Sequence, residues 1–206
     1  MKKRILGAII FVFILAVSGL SYAQSAKVFA SKDPSALYFA VGNDLAARGE
    51  THKAIDAFER SVRYDPDNAY ALHNLGVLYH LQGDSQKAKE LLLMSIESDE
   101  NYAKAQYSLA LIYYEGKDYD DAISMLDAVV NLEPQNANAH FDLGVIHVER
   151  FRQEEDAGSA IEEDILDLQE GLSHYLAAAQ IDADFPHARS NAIIVENVLN
   201  GYGALI

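Results

Sequence analysis

Ala54, Ala88 and Ala122 stand 34 residues apart, and much of the chain repeats at that interval. Gly42 and Gly76 keep the spacing, as do Tyr79 and Tyr113; Gly144 follows Gly76 by 68 residues, and Pro134 follows Pro66 by 68. A fixed period of this size marks one supersecondary unit stacked on copies of itself, because a single unit cannot bury its apolar face alone. Such a stack is a surface for holding another chain. The period does not identify that chain.

Counted from Ser35, the units are 35–68, 69–102 and 103–136, with a longer one at 137–185 and a terminal segment at 186–200. Each opens on an amphipathic segment such as Ala36 to Arg48 or Tyr70 to Leu81, with apolar residues at helical spacing. A breaker follows (Gly49, Gly83 or Gly116), then a second helical segment that ends near Asp65-Pro66, Asp99-Glu100 or Glu133-Pro134. The prolines Pro34, Pro66, Pro134 and Pro186 all fall at unit boundaries, where a residue that cannot continue the hydrogen-bond ladder belongs. The chain therefore reads as all-α. Small residues at the eighth place (Gly42, Gly76, Ala110, Gly144) and at the twentieth let the two helices of a unit approach closely. Phe58, Leu92 and Leu126 fill the space at the twenty-fourth.

These residues resemble the tetratricopeptide repeat (TPR) pattern of a bulky residue, Leu-Gly, Tyr, Gly, Ala, Phe and Pro at set places over 34 positions. The first unit has Tyr38, Val41-Gly42, Gly49, Ala54, Phe58 and Pro66; the second has Leu72, Leu75-Gly76, Tyr79, Gly83, Ala88 and Leu92. The third has Leu109-Ala110, Tyr113, Ala122 and Pro134, with Gly116 displaced by one place. The resemblance covers residues 35–185 and implies a right-handed α-solenoid of about four stacked antiparallel helix pairs with a C-terminal capping helix. The fourth unit departs from it. With Tyr175 in the place of Phe58, about 15 extra residues lie near 152–166. The capping-box pattern Ser159-Ala160-Ile161-Glu162 predicts that they lengthen the second helix, from about Ala160 to Gln180.

The resemblance also implies a concave groove lined by places two, five, nine and twelve of each first helix. The residues it assigns there include Phe39, Asn43, Tyr70, His73, Val77, His80, Lys104, Tyr107, Leu111, Tyr114 and Phe141. Exposed aromatics of this kind anchor partners, because they bring contact area at little entropic cost. Some TPR domains clamp a C-terminal carboxylate with cations and asparagines at places held here by Phe39, Asn43, Asn74, Lys104 and Ser108. Phe39 and Ser108 remove two of the three cations, so an acidic tail is not the expected ligand.

The first 23 residues read as a signal peptide: Lys2, Lys3 and Arg4, the uncharged Ile5 to Leu20, then Ser21-Tyr22-Ala23 as a cleavage site. Export to the periplasm or outside follows, the alternative being a membrane anchor through an uncleaved segment. Residues 24–34 form a linker. Without residues 1–23 the chain has 13 basic and 31 acidic residues, a net charge of −18. Residues 24–100 contribute −4 and residues 101–206 contribute −14. Such a surface disfavours nucleic acid and anionic headgroups and suits a protein partner, a basic one included. The chain has no cysteine, which excludes disulfides and thiolate chemistry.

Neither a phosphate loop, nor GxSxG, nor HExxH, nor a calcium loop occurs in the sequence, and no cofactor or metal is expected. The pairs His73/His80 and His140/His147 are each seven residues apart, about 10 Å along a helix, too far to share one ion. His140 and His147 sit at packing places. The expected function is a non-enzymatic adaptor or scaffold holding a peptide or helix in the aromatic groove. Two alternatives stand beside it. One is self-assembly through the long fourth-unit hairpin or the terminal helix, motivated by the stripe Ile161, Ile165 and Leu168, which has no equivalent in the other units to cover it; the other is a metal-dependent enzyme using His73 and His80.

Overall fold

A computed structural model of the chain describes residues 33–157 and 161–203, with the side chains of all of these but 156–164. The signal-peptide reading, nearly all of the linker and Ser159-Ala160 of the capping-box pattern lie outside the described residues. Among the described residues there are nine α-helices and no strand. They are α1 (Pro34–Ala47), α2 (Thr51–Tyr64), α3 (Ala69–Leu81), α4 (Ser85–Ser98), α5 (Ala103–Glu115), α6 (Tyr119–Leu132), α7 (Ala137–Ala157), α8 (Ile161–Ile181) and α9 (Ala188–Gly201). The chain divides into two compact units, one ending at Ser98 and one beginning at Asp99. None of the described helices is long and apolar enough to cross a membrane.

In the first unit, α1 starts on Pro34 with the Asp33 carboxylate accepting from the Ser35 amide at 2.9 Å. It ends in a Schellman turn: the Gly49 amide donates to Ala46 O, the Glu50 amide donates to Leu45 O, and Gly49 has φ +71°. Gly83 closes α3 in the same way at φ +87°. The helices of each pair run antiparallel. Ser61 of α2 donates its hydroxyl to Ser35 O at the start of α1, while Gly42, two turns on, meets Phe58. A Cβ at Gly42 would lie 2.6 Å from the Phe58 ring, so only glycine lets α2 cross there. Ser95 repeats the Ser61 contact at 2.7 Å, on Ala69 O. Both serines are buried with their hydroxyls satisfied, as burial of a polar group requires. Phe58, Leu72, Leu75 and Leu91 form the core of this unit.

The second unit packs α5, α6 and α7 around Leu109, Leu126, Val129, Leu143 and Ile146. The left-handed residue after α5 is Lys117, φ 63°, at the place of Gly49 and Gly83; Gly116 is right-handed at φ −75°. The Schellman hydrogen bonds form regardless, from the Lys117 amide to Tyr114 O and from the Asp118 amide to Tyr113 O. The helix does break at Gly116, its C-cap, but register puts the left-handed turn on the next residue, and a lysine there bears a cost of roughly 1 kcal/mol.

The extra residues of the fourth pair are shared by both helices, not placed in the second alone. α7 and α8 have 21 residues each, against 13 or 14 in α1 to α6. The pair crosses at Gly144 and Gly171. A Cβ on Gly144 would meet the Tyr175 ring at 2.7 Å, and one on Gly171 would meet Gly144 O at 3.2 Å. α9 covers the lengthened part, burying Phe151, Leu168, Tyr175, Val195 and Leu199 in one cluster.

Candidate first-helix interaction stripe

In the first unit α1 and α3 carry six of the expected stripe residues, and Asn74. Phe39 is half-buried, tilted against Phe58 at 5.9 Å and Tyr70 at 6.4 Å, so it roots the patch in the core. Tyr70 stands out, 51% exposed. Beside it the Asn74 amide nitrogen donates to Asn43 Oδ1 at 2.8 Å, and Asn74 Oδ1 pairs with His73 Nδ1 at 3.0 Å. Both ends of Asn74 are occupied. Asn43 is exposed, and its NH2 points to no neighbour in this network. Val77 and His80 are half-buried on the same helix, with His80 Nδ1 3.2 Å from Ser85 Oγ.

In the second unit the stripe is more inward. Lys104 is exposed and Leu111 is 37% exposed. Tyr107 is half-buried and donates its hydroxyl to Asp142 Oδ2 at 2.5 Å. Burial and this bond push the Tyr107 phenol well above its usual range; burial also raises Asp142, opposed by the hydrogen bond it accepts. Tyr114 tilts on Tyr119 at 6.2 Å, and burial raises its phenol, aided by the charge of Glu149. Phe141 lies between Tyr175 (5.4 Å) and Phe185 (5.2 Å), so it acts as packing where the stripe reading made it a contact.

A family model described as TPR repeat matches residues 42–83 and 110–149, and one described as tetratricopeptide repeat matches 69–102. The chain carries tetratricopeptide repeats. Among solved structures it is similar to MamA at 21% identity and TM-score 0.68, covering 84% of this chain and 85% of that one. PilF of Pseudomonas aeruginosa matches at 17% identity and TM-score 0.65, covering 83% and 71%. YrrB, described as a TPR protein with an unusual peptide-binding site, matches at 20% identity and TM-score 0.60, covering 79% and 74%. At these identities the likeness concerns the fold. No curated protein matches.

The TPR fold is typically an interaction scaffold rather than an enzyme, and its eighth-place glycines are the residues that α1 and α7 need here. The carried-over stripe separates into exposed members (Asn43, Tyr70, Lys104, Leu111) and members held by packing or hydrogen bonds (Phe39, Tyr107, Tyr114, Phe141). The second stripe is corrected. Leu168 is 2% exposed and Ile165 packs against the same cluster, because α9 lies over them; the Ile161 side chain is outside the described ones. The exposed apolar residues are Leu166 and Leu176 elsewhere on α8, 57% and 53% exposed, and Ile193 and Ile194 on α9, each 58% exposed.

The sequence reading missed a polar cluster between α7 and α8. His147 is 3% exposed, and its Nδ1 lies 2.9 Å from Asp167 Oδ1 and 3.4 Å from Glu170 Oε2. Arg150 grips both oxygens of Asp167, with Nε to Oδ2 at 2.7 Å, and reaches Asp120 Oδ1 of α6 at 2.7 Å. Burial would raise Asp167, but the bonds from His147 and Arg150 outweigh it and hold the carboxyl below its usual range. His174 stacks on His147 at 5.8 Å and tilts on His140 at 5.3 Å; burial, then its two neighbours, lower it to about 4. The signal was Asp167 and Glu170 at i, i+3 opposite His147, but seeing it required the register of α8, which the irregular unit hid. Among the described residues this is the group of ligating side chains that converges; none forms around His73 or His80.

Proposed function

We propose that this TPR protein is an exported, non-enzymatic scaffold that holds a peptide or helix against its first-helix stripe. The observation that carries this reading is the patch on α1 and α3. There, exposed Tyr70 rests on core-rooted Phe39 beside the Asn43–Asn74–His73 chain, giving a rigid aromatic anchor next to an amide ready to bond a ligand backbone. The acidic surface supports a partner bearing basic residues. Export to the periplasm rests on the basic, apolar and small-residue order of residues 1–23. A photo-crosslinker at Tyr70 tests the scaffold reading, with one at exposed Gln86 as control. The expected result is a defined protein adduct at position 70, reduced by Asn43→Ala. Equal adducts at both positions, or none at 70, would overturn it.

A second reading is self-association, through the terminal helix. Ile193 and Ile194 lie on the outer side of α9, where a capping helix normally presents polar residues. Light scattering of the purified protein should then show a dimer or larger species that Ile193→Lys/Ile194→Lys converts to monomer; a monomer at high concentration rejects it.

A further inference from the structure

We infer that His147, Asp167 and Glu170 form a binding site for a divalent transition-metal ion of the zinc class, pinning α8 to α7. The close crossing at Gly144 and Gly171 brings the two backbones together. One turn beyond it on α7 stands His147; on α8 Glu170 directly precedes Gly171 and Asp167 stands one turn back, the two on neighbouring places of one helix face. Their three donor atoms lie within 4.8 Å of one another. Bonds of 2.0–2.2 Å in a tetrahedral zinc site put adjacent donors about 3.3 Å apart. The His147 Nδ1 separations of 2.9 Å to Asp167 and 3.4 Å to Glu170 are already close to that. One imidazole and two carboxylates are a donor set that suits zinc.

The surroundings point the same way. Arg150 bonds both oxygens of Asp167, Nε to Oδ2 at 2.7 Å and its NH2 group to Oδ1, and so fixes the orientation of the carboxylate as outer partners of metal ligands do. His174 lies parallel to the His147 ring, 9° between planes, and fixes its orientation. Arg150 also reaches Asp120 of α6 at 2.7 Å, which ties the site to a third helix. Glu170 is exposed, which gives an entry path and leaves a coordination position for water. On binding, the metal takes the Nδ1 lone pair of His147. The hydrogen then sits on Nε2, and any proton held on the ligands passes to buffer.

Calorimetry with Zn2+ alone tests this on protein first stripped with chelator. The expected result is one equivalent bound, with proton release visible as a dependence on buffer ionisation heat. Glu170→Gln, at an exposed position, should keep full helicity and lose at least about tenfold in affinity; His147→Ala should lose the site. His73→Ala and His80→Ala should bind as the parent does. No uptake, or equal affinity in the parent and Glu170→Gln, overturns the assignment, the latter by showing adventitious binding elsewhere.

Discussion

At the scale of single residues, the eighth place of each repeat shows how side-chain volume sets the distance between helices. Where the twenty-fourth place is aromatic (Phe58, Tyr175), the facing residue is Gly42 or Gly144, and an added methyl would sit inside the ring's contact distance. Where it is leucine, the demand relaxes. A Cβ at Gly76 would meet Leu92 Cγ at 3.0 Å, and the third repeat carries Ala110, fully buried opposite Leu126. Gly42→Ala should therefore destabilise by about 1–3 kcal/mol through overpacking, despite alanine's better helix propensity. Gly76→Ala should cost clearly less. Urea melts of the two variants check the order, and equal midpoints would contradict it. Lys117 makes the complementary point: a left-handed turn was legible as a breaker, but the residue that takes it is set by the hydrogen-bond register of the helix end and not by where glycine happens to fall.

Among elements, the lengthened pair α7–α8 is where this chain departs from its own period. Its interface holds three histidines in contact, His140 and His147 on α7 with His174 on α8. Because His174 is held at about 4 in the folded protein, against an ordinary 6.5, the unfolded chain takes up its proton first as pH falls. Stability contributed by the neutral ring is thus fully present above pH 6.5 and is lost progressively down to about pH 4, a total of roughly 1–2 kcal/mol once solvent screening of the half-buried ring is allowed for. Asp127 and Asp142, both raised by burial, act in the opposite sense, with an effect confined to the carboxylate range at the acid end. Thermal melts across this window should show the decline, and His174→Gln should flatten it; an unchanged slope would mean that the stack does not control it. The total length of the pair was readable from the displaced Tyr175. Its division was not, because a capping motif marks one helix start and says nothing of how far the preceding helix runs.

Across the whole molecule, charge and exposure are distributed unevenly. Most of the acidic excess falls in residues 101–206, where Arg150 of α7 joins Asp120 of α6 to Asp167 of α8, and Glu170 lies beside Asp167. The exposed stripe members Asn43 and Tyr70 belong to the first unit, whereas the tyrosines of the second are drawn toward Asp142 and Tyr119. By itself the sequence determined the all-helical repeat, its helix pairs and their close crossings. These follow from local hydrogen bonding and from contacts a fixed number of residues apart, which a period records directly. Only the tertiary structure decided which aromatics stay exposed, how α9 buries Leu168, and that His147 meets Asp167 and Glu170. Those outcomes depend on the three-dimensional register of an irregular pair, and where the period fails, spacing along the chain no longer encodes neighbours in space.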